Sequence, residues 1–230
     1  EDGNWRSFRH RNYRILFPAN AVSNIGSWAQ RIAQDWLVLE LTNNNGTYLG
    51  LVTAVQFAPV LFFSLHGGKL ADRFNKRKVL ILTNILGGSA SLGLGTLVIT
   101  EQVQLWHVFA LAAVLGVSTA IDAPVRQSFT TEVVGQTDLP NAVSLNSANF
   151  NAGRLVGPAV SGGLIAAFGT GPSFIINGLS YFFVIAALLN LNEKAFFDLD
   201  RLKSDGNIRE GIAYVKARPD IYVVMLMVFF

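Results

Sequence analysis

Apolar residues in this chain come in long unbroken runs, not in the short alternations or narrow stripes of a soluble fold. No Asp, Glu, Lys or Arg occurs from Leu41 to Gly68, from Val79 to Thr100, from Gln102 to Ile121 or from Leu155 to Asn192. Each run reaches the roughly 20 residues that a helix needs to cross the hydrocarbon core of a bilayer. The last is divided by the turn sequence GTGP, Gly169 to Pro172. The pattern predicts six membrane-spanning helices, near Tyr13–Leu41, Thr47–Leu70, Lys76–Thr100, Val103–Thr131, Asp138–Phe168 and Gly171–Asn192. Residues 1–192 thus form an all-α transmembrane bundle.

Residues 193–218 read as a linker with one surface helix. NIREGIAYVKARP places Ile208, Ile212 and Val215 on one face, with Asn207 and Glu210 spaced as a capping box and Pro219 as a stop. Residues 219–230 read as the start of a seventh span. Their apolar stretch, Ile221 to Phe230, would make only about 15 Å of helix, so the chain reads as ending inside that span.

Composition supports the membrane reading: 51% of residues are hydrophobic and 14% charged, against about a quarter charged in a soluble domain. Lys and Arg then set the orientation, because they favour cytoplasmic loops. Arg6, Arg9, Arg11 and Arg14 lead into the first span; Lys69, Arg73, Lys76, Arg77 and Lys78 separate the second from the third; the rest, outside the spans, follow the sixth. The opposite loops carry none, which predicts a cytoplasmic N-terminus. Topology therefore accounts for the basic charge, and no nucleic-acid partner is expected. The chain has no Cys, so disulfides and thiolate metal sites are excluded. His10, His66 and His107 are isolated, no nucleophilic triad appears, and neither a cofactor nor an enzymatic activity is expected.

Five charges lie inside the spans away from their ends: Arg31 and Asp35 in the first, Asp122 and Arg126 in the fourth, and Arg154 in the fifth. Each costs roughly 3 kcal/mol at a helix centre, so each should face a cavity or a partner. Polar residues recur behind them at helical spacing. Asn20, Asn24, Ser27, Arg31 and Gln34 line up on span one; Ser118, Asp122 and Arg126 on span four; Ser144, Ser147, Asn151, Arg154, Pro158 and Ser161 on span five. Three such stripes facing one another would wall a hydrated path. Asp35 and Asp122 are the acids in it, and two readings stay open: a proton carrier, or a permanent pair with the Arg four residues away. At 1.5 Å per residue, Arg31 lies about 27 Å and Asp35 about 33 Å along the helix from Tyr13, which puts both in the outer half.

The loop GKLADRFNKRKVL, Gly68 to Leu80, resembles the signature of the major facilitator superfamily, G-x-L-A-D-R-x-G-R-K-x-x-L. Gly68, Leu70, Ala71, Asp72, Arg73 and Leu80 match, and Lys76 and Arg77 keep the basic pair. Asn75 replaces a glycine, a mild change because Asn tolerates left-handed dihedrals. GRLVGPAVSGGL, Gly153 to Leu164, resembles the superfamily's exporter motif in Gly153, Gly157, Pro158, Gly162 and Leu164, with Ser161 in place of a glycine. SNIGSWAQRIAQDWLVLELT, AIDAPVRQSF and LPNAVSLNSANFNAGRLVGPA resemble the enterobactin-exporter-like bacterial branch.

The resemblance implies the six-helix N-terminal half of a transporter built as a three-plus-three inverted repeat. GGKLADRF and GGLIAAF, each downstream of a proline (Pro59, Pro158), are the faint trace of that repeat. It further implies a C-terminal half completing the path, a bacterial cell membrane, and export of small amphipathic molecules, siderophore- or drug-like, against protons. Asp72 and its basic neighbours would close a cytoplasmic gate, and the Gly153–Gly162 segment would rock. Trp28, Arg31, Gln34, Asp122 and Arg126 would face substrate or proton. Uptake by the same fold and a scaffold that does not transport are the rivals.

Overall fold

The structure is a computed structural model that describes residues 5–197, with the backbone alone over 64–73. It contains helices α1 (Arg11–Leu41), α2 (Gly46–Arg73), α3 (Lys76–Ile99), α4 (Leu105–Phe168) and α5 (Gly171–Leu189), and no strand among the described residues. A 3-10 turn, Arg6–Arg9, leads into α1 and another, Glu193–Ala195, follows α5. The predicted linker helix and the start of a seventh span lie outside the described residues.

The fourth and fifth predicted spans are joined without a loop. α4 has 64 residues, about 96 Å of helix, three times the thickness of a bilayer core. It is broken at Gly135, whose φ of 71° and ψ of 171° are not helical. Only glycine takes such dihedrals at little cost, so a single residue replaces the connection expected between Thr131 and Asp138. Contacts with α1 show the reversal. Asn20 meets Arg126 while Tyr13 and Leu16 pack with Phe129 and Val133, so residues 105–134 run antiparallel to α1. Tyr13 donates to Ala142 and Asn146 and Asn24 to Asn149, so residues 136–168 run parallel to it.

The other boundaries differ by a turn or less from the expected ones. The α1–α2 loop turns on Asn43 and Asn44, with φ of 53° and 63°, a conformation Asn accepts more readily than most residues. Asn75, by contrast, is not left-handed. It has φ −60° and caps α3, its side chain accepting from the Lys78 N–H at 3.1 Å. The tolerance invoked for its replacing a glycine is therefore not what the position uses. α5 ends at Leu189, three residues before the expected Asn192, and Asn192 instead exchanges two hydrogen bonds with Asn12 at the start of α1.

The distribution of side chains is that of a protein in lipid. Leu61 is 73% and Leu155 79% exposed, and Phe62, Phe168 and Phe183 are also on the outside, while Asn12, Gln30, Gln34, Asn84 and Asn177 are buried. α2 over Gly46–Phe63, α3, α4 and α5 are long and apolar enough to cross a membrane. α1 is long enough but too polar to join them, because it carries Asn and Gln residues and Arg31 on the face toward its neighbours. Where lipid is as apolar as the core, helices associate through close packing and polar contacts. A side chain at Gly87 or Gly88 would strike Tyr181, one at Gly95 Phe174 and Ile175, and one at Gly178 Leu92, so α3 and α5 lie together along a glycine-rich seam.

Two apolar clusters bracket a polar layer. One joins Tyr13, Leu16, Leu80, Val125, Phe129, Val184 and Leu188; the other joins Ala33, Leu37, Val52, Leu94, Val108, Leu111 and Phe174. Between them on α1 lie Asn20 to Arg31, on α4 Ser118 to Asp122, and on α5 Asn177 to Tyr181. This middle layer holds the candidate site.

Candidate functional site

A cavity of about 460 Å³ opens among α1, α2, α4 and α5, within the range of small-molecule sites. Its wall on α1 is a consecutive helical face: Asn24, Ser27, Trp28, Gln30, Arg31 and Gln34. α2 adds Gln56 and Phe57, α4 adds Leu115, Thr119 and Phe150, and α5 adds Asn177 and Tyr181. The polar groups are held by one another. Gln34 Nε2 donates to Gln56 Oε1 at 3.2 Å, Asn177 Nδ2 to Gln30 Oε1 at 2.7 Å, and Ser27 Oγ to Asn177 Oδ1 at 3.4 Å. Pairs of this kind fix the amides in register.

Arg31 is placed by aromatic rings. Its guanidinium carbon lies 4.9 Å from the Phe57 ring centre and 5.7 Å from that of Trp28, within reach of cation–π attraction. Trp28 in turn meets Phe150 edge-on at 5.5 Å. Arg31 and Asp35 make no direct ion pair among the described residues, though the two charges attract through space. Asp35 is half-buried one turn further on and does not line the cavity.

Asp122 and Arg126, by contrast, are in direct contact. Arg126 Nε donates to Asp122 Oδ2 at 2.7 Å and its Nη2 to Oδ1 at 3.0 Å. Thr83 Oγ1 adds a bond to Asp122 Oδ1 at 2.8 Å and Asn84 Nδ2 a longer one at 3.4 Å, while Arg126 Nη1 reaches Asn20 of α1. A bidentate ion pair with charge-assisted bonds on both partners thus ties α1, α3 and α4 together. It adjoins the cavity without lining it.

Residues of the expected exporter motif divide by face. A side chain at Gly157 would meet Trp28 Cβ and, at 3.0 Å each, the Ala29 nitrogen and the Ile25 carbonyl oxygen; one at Gly153 would meet Asn24 and Trp28. These two glycines seat α4 against α1. At Gly162 a methyl group would meet nothing within 4 Å, and Pro158 lies between the two faces. Of the polar stripe, Ser161 is buried and lies 3.4 Å from the Ser173 hydroxyl, whereas Ser144, Ser147, Asn151 and Arg154 are exposed on this chain. The reason is steric: close approach to α1 needs the glycine edge, which leaves the polar edge outside. Ser144 and Asn151 donate to their own helix, to Pro140 O and Ser147 O.

Of the gate motif, the side chains of Gly68, Leu70, Asp72 and Arg73 lie outside the described residues. Lys76 pairs with Glu132 and Arg77 with Glu193 and the Leu189 carbonyl, tying the start of α3 to the Gly135 turn and the end of α5. On the same end Asp138 accepts from His10 at 2.8 Å and faces Arg6 at 3.3 Å. Sequence reasoning missed Gln30, Gln56, Asn177 and Tyr181. For Gln56 and Asn177 the signal was present as isolated amides in otherwise apolar spans, but nothing in the spacing says that α2 and α5 turn them toward α1.

A family model described as "Transmembrane secretion effector" matches residues 2–230. Among curated relatives, the Staphyloferrin A transporter of Staphylococcus aureus is 26% identical over 79% of this chain and 46% of its own length. The Multidrug efflux pump Tap of Mycolicibacterium fortuitum is 28% identical over 67% of this chain and 39% of its own. The Enterobactin exporter EntS of Shigella flexneri is 21% identical over 80% and 45%. The chain spans less than half the length of these relatives. A match along virtually the whole chain, on a bundle with lipid-facing apolar helices around a polar cavity, places it: the chain belongs to the transmembrane secretion effector family of major facilitator transporters.

Proposed function

We propose that this chain is the N-terminal six-helix half of a secondary transporter that exports small amphipathic organic molecules by alternating access, coupled to inward movement of protons. The observation that carries the reading is the cavity in the middle layer, with stacking rings and fixed amides on one side and room for an organic molecule. Siderophore and multidrug exporters among its relatives favour outward movement. Counting the two arms of α4 separately gives six helices, which supports the three-plus-three reading, and a second half would close the cavity from the other side. The Lys and Arg distribution supports a cytoplasmic N-terminus, and the bacterial relatives support a bacterial cell membrane. On this reading Asp72 and its neighbours gate the cytoplasmic mouth, and the α1–α4 seam at Gly153 and Gly157 carries the rocking motion.

Asp35 is the acid we assign to proton coupling, because Asp122 is engaged by Arg126, Thr83 and Asn84 whereas no ion pair holds Asp35 among the described residues. The test is counterflow in sealed vesicles containing a full-length protein that includes this chain. An imposed inward proton flow should accelerate substrate movement in the opposite direction, and Asp35→Asn should remove that acceleration while exchange persists. Substrate and protons moving together would establish uptake instead; flux indifferent to the gradient would remove the coupling.

A further inference from the structure

The geometry points to an anion-selecting cavity: its ligand is an amphipathic molecule bearing a carboxylate or similar anionic group, bound by Arg31. This rests on the transport reading and specifies its substrate class. Arg31 is the one charged side chain among the residues that line the cavity. Asp122 and Arg126 are spent on each other at 2.7 Å and sum to zero; Asp35, one turn along α1, attracts Arg31 through space but makes no ion pair with it among the described residues and is off the cavity wall.

The donors are also unspent. Among the described residues Arg31 has no hydrogen-bond acceptor; what holds it is the pair of rings, Trp28 and Phe57. Ring faces position a guanidinium without consuming its N–H groups, and those groups form a planar fork that matches a carboxylate. Gln30 and Gln56 use their carbonyl oxygens, as acceptors from Asn177 and Gln34, and their amide nitrogens have no acceptor among the described residues. The cavity therefore presents a cation and two amide donors beside aromatic surface. An ammonium ligand would meet like charge in a medium where water screens it poorly, whereas an anion would gain charge-assisted bonds.

The experiment titrates the full-length protein in detergent with three probes that share one fluorophore: dansylglycine, dansylglycinamide and dansylethylenediamine, respectively anionic, neutral and cationic. Dansylglycine is expected to bind roughly tenfold or more tightly than either of the others, the size of one or two charge-assisted bonds. Arg31→Gln should reduce that advantage to about parity, and Arg31→Lys should keep part of it, as a point charge without the fork. Tighter binding of the cationic probe, absence of binding by all three, or a preference that survives in Arg31→Gln would each overturn the assignment. Should Arg31→Gln not fold, the wild-type series and Arg31→Lys decide the matter. Vesicle flux separates this proposal from the one beneath it. Selective binding with no flux sinks the transport reading and leaves charge selection standing, whereas flux that favours the cationic probe sinks charge selection and leaves transport standing.

Discussion

Replacing Gly157 by Ala adds one methyl group where α4 crosses α1. Two of the atoms it meets, the Ala29 nitrogen and the Ile25 oxygen, are main-chain atoms at 3.0 Å, and the third is the Cβ of Trp28. None can swing away by a rotamer change, so relief requires the helices to part by about 1 Å to restore ordinary contact at the Trp28 Cβ. A gap of that size forfeits a quarter to a half of the dispersion energy of the atoms it separates. It also stretches the 2.7 Å bond from Asn24 to the Asn149 carbonyl and the Trp28–Phe150 contact. Overpacking of this kind costs about 2–3 kcal/mol, and replacing Gly by Ala in a helix returns about 1 kcal/mol, leaving a net loss of about 1–2 kcal/mol. Gly162→Ala in the same helix meets nothing within 4 Å and should keep only the gain. The assay is denaturant or SDS titration of the purified chain followed by tryptophan fluorescence. If Gly157→Ala proves as stable as Gly162→Ala, the glycine edge does not form the seam and the placement of α4 against α1 is wrong.

Removing Asp122 should be the most damaging polar change in the bundle. Asp122→Ala removes a bidentate, partly exposed pair and leaves the Arg126 side chain with Asn20 alone among its hydrogen-bond partners, a loss of about 1.5–3 kcal/mol for charge-assisted bonds; retention of wild-type stability in the same titration would show that the three-helix tie is weak. Gln34→Leu strands Gln56 beside the cavity and should cost about 1–3 kcal/mol, read by unfolding and by loss of probe affinity. Glu132→Gln should cost at most about 1 kcal/mol and less at high salt, because the Lys76–Glu132 pair is partly open to solvent; a salt-independent loss would argue against a simple ion pair. Gly135→Ala forces a side chain into φ 71° and against the Phe197 ring, so it should destabilise the turn by about 1–2 kcal/mol, detectable as earlier proteolysis between the two arms of α4.

The spans were readable because lipid imposes a composition on whatever touches it: charge-free runs long enough to cross had nowhere else to be. The exception was the connection between the fourth and fifth spans. There the residues after Thr131 look polar enough for a loop, yet they stay helical up to Gly135 because Lys76, Phe197, Arg6 and His10 satisfy Glu132 and Asp138 from neighbouring elements. Arg31, Trp28 and Gln34 were legible as a face of one helix, since i, i+3 and i+4 spacing is a property of that helix alone.

Sequence by itself settled the membrane, the polar face of α1 and the presence of five costly charges, each a local consequence of residue type and helical period. Only the tertiary structure decided which charges are neutralised and which faces point inward. Arg126 closes on Asp122 while Arg31 is left to its rings, and the polar edge of residues 144–154 turns outward because glycine, not serine, allows α4 to touch α1. Those outcomes depend on how closely two helices can approach, which no single helix records.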